Sequence, residues 1–417
     1  MKRASLCFSA RPKQSNPQKT VGKTEVLRMS ESSSQVAEIV TPVENKDSCS
    51  GPGSIVDPLL CFEHDVQAVG LIGEEKNARI ILLAAISARL GKPLNVSVHG
   101  TSSAGKNHLT GTVAKFIPAD MKKMLSGMSP KTLMHSAEDE FKHKAIFIAE
   151  YEGVAGADFA IRTFQSEQVI EWEFVEQVKD KGLKKRTNRV NGPAAFIQAT
   201  TRATLHPENE TRLLFVEVDE SEEQTRAINE RQAREAAGEI IVPDAEILNE
   251  WHGFISNLTT TAVVIPFAPK LAKHFPSYRV RSRRDFPKLL GLVEVSAYLH
   301  QHQRERDAEG RIVASCEDYE IAKELFAHSY YAGPEKAVSV LLKEAKALQE
   351  STFLGQGDFA AADLFPRTGW GKTRGYEILR RAEELGGIVE GTARGRYKFI
   401  HGGTELPLDL PLTVDGA

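Results

Sequence analysis

Residues 94–111 read LNVSVHGTSSAGKNHLTG. Leu94, Val96 and Val98 alternate with polar residues, as in a strand, and the alternation stops at Gly100. Gly100, Thr101, Ser102, Ser103, Ala104, Gly105 and Lys106 then make a glycine-bounded loop ending in lysine. Leu109, Val113 and Phe116 follow at helical spacing. Strand, glycine-rich loop and helix in this order is the setting in which G-x-x-x-x-G-K binds phosphate. Glycine lets the backbone curl so that successive N–H groups face inward, and the following helix adds the positive end of its dipole. Lys106 is then placed for the β- and γ-phosphates. The next residue is usually Ser or Thr, whose hydroxyl binds Mg²⁺. Here it is Asn107, whose amide oxygen ligates a hard cation more weakly. ATP and Mg²⁺ are the expected cofactors, and the pattern speaks for nucleotide binding more strongly than for fast hydrolysis.

Residues 144–152, KAIFIAEYE, supply what such a loop needs opposite it. The apolar run from Ala145 to Ala149 suits a buried parallel strand, and it ends in Glu150 and Glu152. ATP hydrolysis uses one carboxylate in the Mg²⁺ shell and another to polarise the attacking water. Alone, the run equally describes a strand ending in solvated glutamates. Downstream of a phosphate loop it reads as functional, with Glu150 assigned to the metal and Glu152 to the water. Tyr151 separates two acids that are usually adjacent.

Outward from this pair, residues 1–56 are rich in Ser, Lys, Pro and Gln and read as a disordered tail. Asp57-Pro58 opens a largely helical segment whose Ile80, Leu83, Ile86 and Leu90 form an apolar face, stopped by Gly91-Lys92-Pro93. Residues 169–190 predict a β-hairpin with a cationic tip carrying Lys179, Lys181, Lys184, Lys185 and Arg186. Such a tip either contacts DNA phosphates or is a solvated face. Residues 193–201, PAAFIQATT, predict another buried strand, and Arg212 precedes a further one at 213–218. Residues 279–304 predict a helix with an apolar face at Phe286, Leu289, Leu290, Leu292 and Val293; His300 and His302 are expected at its solvated end. Residues 359–400 predict helix, turn at 366–369, a second helix with Lys372, Arg374, Arg380 and Arg381, and two strands, 388–390 and 396–400. That series suits a winged-helix module, whose second helix enters the major groove while its wing follows phosphates, although some such modules bind protein instead.

The bulk properties set limits. The 417 residues are enough for two or three domains, and the net charge of −3 argues against a uniformly basic nucleic-acid binder. No apolar run approaches the roughly 18 residues that span a bilayer, and no signal-peptide core is seen. Cys7, Cys49, Cys61 and Cys316 show no metal or disulfide spacing. A cytoplasmic protein without membrane contact is expected.

The ordered motifs resemble the AAA+ ATPases, and most of all the helicase-type ATPases attached to or encoded beside DNA primases in bacteria, phages and integrative elements; the MCM helicases are more distantly similar. Residues 94–112 resemble the Walker A region and 145–153 the Walker B region. Thr200-Thr201 falls at the sensor 1 position, the run ending in Arg212 resembles an arginine-finger segment, and Arg284 resembles the sensor 2 arginine that opens a lid helix. The hairpin near Lys184 matches a DNA-contacting hairpin of MCM-like proteins. The resemblance implies a three-layer α/β P-loop (AAA+) core with a parallel sheet over 57–220, a helical lid and linker over 221–350, and a winged-helix domain over 351–402 before a tail at 403–417. It implies ATP-driven helicase or translocase activity in the replication of a phage or mobile element. The implied assembly is a homo-oligomer, a hexameric ring, with any priming left to a separate primase chain. The implied catalytic residues are Glu150, Glu152, Thr201 and Arg212. Arg284 joins residues 100–107 in nucleotide binding, and Asn107 and Glu150 hold the metal. DNA would meet Lys179, Lys181, Lys184, Lys185, Arg186, Lys372, Arg374 and Arg396. An ATP-switched DNA-binding initiator is the rival reading, and a structural protein with a degenerate site the third.

Overall fold

The computed structural model describes residues 57–178, 182–202, 205–239, 244–277, 280–332, 334–351, 358–368, 371–384, 388–390 and 395–399. The tails expected at 1–56 and 403–417, Lys179 and Lys181, Gly386-Gly387 and residues 391–394 of the last turn lie outside these.

Asp57 caps helix α1 (Pro58–Ala68), its carboxylate accepting from the N–H of Leu59 at 2.7 Å, with Pro58 in the first turn. Helix α2 (Glu75–Ser87) follows. Its periodicity predicts one apolar face, but Ile81, Leu82, Ala84 and Ala85 are buried along with Ile80, Leu83 and Ile86. A helix apolar all round is an internal one, and α2 forms the centre of the main hydrophobic core.

Strand β1 (Asn95–His99) leads through the phosphate loop to α3 (Lys106–Phe116), then β2 (Lys122–Leu125), α4 (Pro130–His135), β3 (Lys144–Ile148) and α5 (Asp158–Glu167). An antiparallel hairpin, β4 (Val169–Val178) and β5 (Gly182–Asn191), precedes β6 (Ala194–Thr200), the one-turn helix α6 (Pro207–Glu210) and β7 (Leu213–Glu217). Five of these strands form one parallel sheet in the order β2-β3-β6-β1-β7. Successive side chains point to opposite faces. Ala145 and Phe147 therefore join the core around α2, whereas Ile146 and Ile148 join a second core that includes Ile161 and Phe164 of α5. Burial on both faces is why β3 and β6 read as unbroken apolar runs. A parallel five-stranded sheet flanked by helices fits the P-loop α/β core that the loop motif implies.

Beyond β7 come α7 (Glu222–Ala236), α8 (Asp244–Asn257), β8 (Val263–Val264), α9 (Ala268–His274), α10 (Ser282–Leu299), β9 (Ile312–Val313) and α11 (Cys316–Ala332). Helices α10 and α11 place Leu289, Leu292, Tyr319 and Leu325 in the same core as α2. The Ser329 hydroxyl of α11 accepts the Phe215 N–H at 2.7 Å, so this helix covers the edge strand β7. His300 corrects the sequence expectation of a solvated helix end. Its ring is buried, 2.8 Å from the Ser296 carbonyl and 2.9 Å from the Asp57 carboxylate, because the cap of α1 needs a partner where it meets α10. His302 is exposed.

A third core joins α12 (Pro334–Glu350), α13 (Ala361–Thr368) and α14 (Lys372–Glu384) to an antiparallel sheet of β10 (Phe359–Ala360), β12 (Arg396–Phe399) and β11 (Ile388–Glu390). Two expectations are corrected here. The turn placed at 366–369 is helical as far as Thr368, since Pro366 near a helix end removes few hydrogen bonds. Phe359 and Ala360 are a third strand rather than the start of the helix. A Cβ at Gly375 would run into the Phe365 ring, so α13 and α14 cross in close contact there.

Candidate nucleotide-binding site

The loop between β1 and α3 is bent by two residues of positive φ, Ser103 (68°) and Gly105 (91°). Glycine takes that conformation without strain, and the bend turns backbone N–H groups towards one centre. Gly100 is required for a different reason: a Cβ there would collide with Val218 and Ala104. Lys106 opens α3, and its ammonium donates to the carbonyls of Gly100 (2.9 Å) and Thr101 (2.5 Å). The Thr101 N–H donates to the Glu220 carboxylate at 2.5 Å.

A cavity of about 380 Å³ lies on one side of the loop, lined by residues 102–108 together with Glu150, Glu152, Thr200 and Thr201. The loop, both acids and the β6 terminus thus meet at the carboxyl ends of three parallel strands, although β6 separates the acid strand from the loop strand. Tyr151 explains the interrupted acid pair. Its ring is buried in the second core, and its hydroxyl bonds to Asp158 and accepts from Asn209 at 2.9 Å. With the tyrosine turned inward, the glutamates on either side of it both line the cavity. One oxygen of Glu152, Oε1, accepts from the Thr200 hydroxyl at 3.0 Å. Thr200, more than the exposed Thr201, is therefore the polar residue that engages the acid.

On the other side of the loop a larger cavity, about 760 Å³, is bordered by the α1–α2 connection (Val69, Gly70, Leu71, Ile72), by Val218 and by Gln224 and Ile228 of α7. Both cavities are lined by residues 102–105 and His108, so an elongated ligand can lie across the loop with its anionic end towards Glu150 and Glu152. Its apolar end would lie towards Leu71 and Ile228. The residues fit a magnesium-bound nucleoside triphosphate. The bent loop and Lys106 suit phosphate, and Asn107 and Glu150 are the oxygen donors a hard cation takes. Among the described residues no cluster of three or more His, Cys, Asp or Glu forms a stand-alone metal site.

Comparison with known families agrees. Residues 57–250 match the model of the MTBMA_p00010 P-loop domain. The match supports a P-loop NTPase domain over those residues. No curated protein matches the chain. This P-loop domain supports nucleotide binding by the chain, and no described helix is long and apolar enough to cross a membrane.

The remaining sequence candidates fall elsewhere. Arg212 donates to the Ser166 hydroxyl at 3.0 Å, and Arg284 bonds to Thr211, so both lie at the amino end of β7. Arg162 joins them through Glu208, at 3.3 Å. Burial and the neighbouring Arg284 guanidinium pull Arg212 below its ordinary pKa. The phosphate loop follows the carboxyl end of β1, which pairs in parallel with β7 over five residues, a separation of about 16 Å. Arg284, expected to bind nucleotide and to open a lid helix, lies beside Arg212 at the end of the sheet away from its own loop. The start of α10 is anchored to β7 instead, Lys288 donating to the Leu213 carbonyl at 3.1 Å.

The hairpin is present, but Lys184, Lys185 and Arg186 lie on β5, opposite Glu176, Val175 and Phe174, and not at the turn. Lys185 pairs with Glu173 at 2.7 Å. Lys372 and Arg374 lie in the first turn of α14, and Arg396 opens β12, donating to the Asp358 carbonyl at 2.6 Å. Sequence reasoning placed Thr200-Thr201 together and chose Thr201, whereas Thr200 is the one that bonds to Glu152; it missed Arg202, whose guanidinium lies 3.5 Å from Glu152. Arg202 directly follows the predicted strand 193–201, but its place level with Glu152 comes from the pairing of β3 with β6, which the sequence does not encode.

Proposed function

We propose that this protein is an ATP-driven helicase or translocase that works on DNA as a ring, a hexamer by its resemblance to AAA+ helicases, in the replication of a phage or mobile element. The observation that carries the reading is the convergence of Lys106, Glu150 and Glu152 on one cavity beside the P-loop. Loop amides and Lys106 hold the phosphates. Asn107 and Glu150 are the residues to hold Mg²⁺, which when bound neutralises charge on the transferring phosphoryl group. Glu152 accepts the proton of the attacking water. Arg212 and Arg284, too far from their own loop, serve the nucleotide of a neighbouring copy. The hairpin grips DNA, and the C-terminal helices and three-stranded sheet act as a winged helix.

Asn107 favours a second reading, an initiator that uses nucleotide only to set assembly on a DNA site, because the amide is a weaker metal ligand than the usual hydroxyl. ATP turnover measured with and without single-stranded DNA separates the two. The motor predicts turnover stimulated by DNA and abolished by Lys106→Ala, together with strand displacement. Site-specific binding without ATP-dependent unwinding sinks it in favour of the initiator.

A further inference from the structure

We infer that Arg202 is a positioning residue that aims the Glu152 carboxylate at the attacking water; this rests on the hydrolytic reading above. Four contacts give it that place. Its guanidinium lies 3.5 Å from Glu152 Oε1, the oxygen that also accepts from Thr200, and no described residue engages Oε2. Its backbone N–H donates to the Thr200 hydroxyl at 3.0 Å, which turns that hydroxyl's own proton towards Glu152. Its guanidinium carbon sits 5.6 Å from the centre of the Tyr151 ring, over the residue that spaces the two acids. Its carbonyl lies 3.0 Å from Nδ1 of His99, the last residue of β1.

The last contact fixes a proton. A carbonyl only accepts, so His99 Nδ1 must carry the hydrogen, and in the neutral ring Nε2 is then the bare nitrogen. Nε2 is buried and bonds to no described residue, and burial holds the imidazole below its ordinary pKa, consistent with a neutral ring. The neutral histidine thus pins the Arg202 backbone from the loop strand, while the side chain and Thr200 together fix one oxygen of Glu152. The arrangement leaves Oε2 for the water, as outer-shell partners orient a reacting carboxylate in other sites.

The experiment is steady-state ATP hydrolysis and equilibrium binding of a fluorescent ATP analogue by the full chain, comparing wild type with Arg202→Ala and Arg202→Lys. Arg202→Ala should lower kcat about 10- to 100-fold, the usual cost of losing an outer-shell partner. KM and analogue affinity should stay unchanged, and the lysine variant should restore part of kcat. A wild-type kcat in Arg202→Ala, or a loss of kcat matched by loss of binding, overturns the inference. Wild-type protein that binds the analogue without turning ATP over also overturns it, yet leaves the nucleotide-binding reading standing; wild type that binds no analogue removes both.

Discussion

At residue scale, His99 ties stability to pH. It lies between the Thr200 and Glu217 strands, within the field of Glu217, Lys106 and Glu152, and burial is the largest influence on its pKa, which is lowered. Above about pH 6.5 the ring is neutral in both folded and unfolded chains, and the group has no effect. As pH falls the unfolded chain takes up the proton first, so folding stability drops by up to about 1.4 kcal/mol per pH unit until the folded pKa is reached. His99→Asn keeps a donor for the Arg202 carbonyl but cannot titrate. Urea unfolding between pH 5 and 8 should show a shallower acid-side decline for the variant; equal slopes would exclude His99 as the source. The loop residues were legible in the sequence because their spacing is dictated by one ligand and one turn. Arg202 and His99 were not, since their roles come from contacts across the sheet that no spacing encodes.

At the scale of elements, the hairpin shows what register adds to composition. The basic run at 184–186 looks like a cluster, but alternation sends neighbours to opposite faces. Ile170 and Val190 are buried at the base, and Phe174 packs edge-on against His135 of α4 with centroids 5.1 Å apart. The other face carries ion pairs, Lys185 with Glu173 and Arg189 with Glu171 at 3.0 Å, along with exposed Val175. Exposed pairs of this kind are worth roughly 0–1 kcal/mol, so a DNA phosphate can compete with Glu173 for Lys185. Removing charge at Lys184, Lys185 and Arg186 should weaken DNA binding and reduce the salt slope by about 0.7–0.9 for each phosphate no longer neutralised. Glu173→Gln, which releases Lys185, should tighten it. Fluorescence anisotropy across a salt series checks both; an unchanged slope in the triple variant removes the hairpin from the DNA interface. The same limit on composition explains Tyr151 and His300. A tyrosine between two acids and a histidine at a helix end both look solvent-facing until the packing partner, α6 for one and the α1 cap for the other, is known.

At the scale of the molecule, loop and arginines stand at opposite ends of the parallel sheet. At the loop end Glu150, Glu152, Asp219 and Glu220 border the cavities alongside Lys106 and Arg231. The other end gathers Arg162, Arg212 and Arg284 about Glu208, with Phe159 of α5 63% exposed on the same helix as Arg162. Two unlike surfaces that meet make a head-to-tail contact, which gives a ring where the rotation closes and an open filament where it does not. In the ring proposed above each working site would take its loop from one copy and its arginine from the next. Arg212→Ala should then bind nucleotide normally while turnover falls about 10³-fold or more, the usual cost of losing such an arginine. Lys106→Ala should be inactive for the opposite reason. Mixed in equal amounts and allowed to exchange subunits, the two inactive variants should regain hydrolysis, because roughly a quarter of head-to-tail contacts then pair an intact loop with an intact arginine. Turnover of the mixture at the level of its components, or a wild-type rate for Arg212→Ala alone, would show that the arginine end does not serve a neighbour's nucleotide.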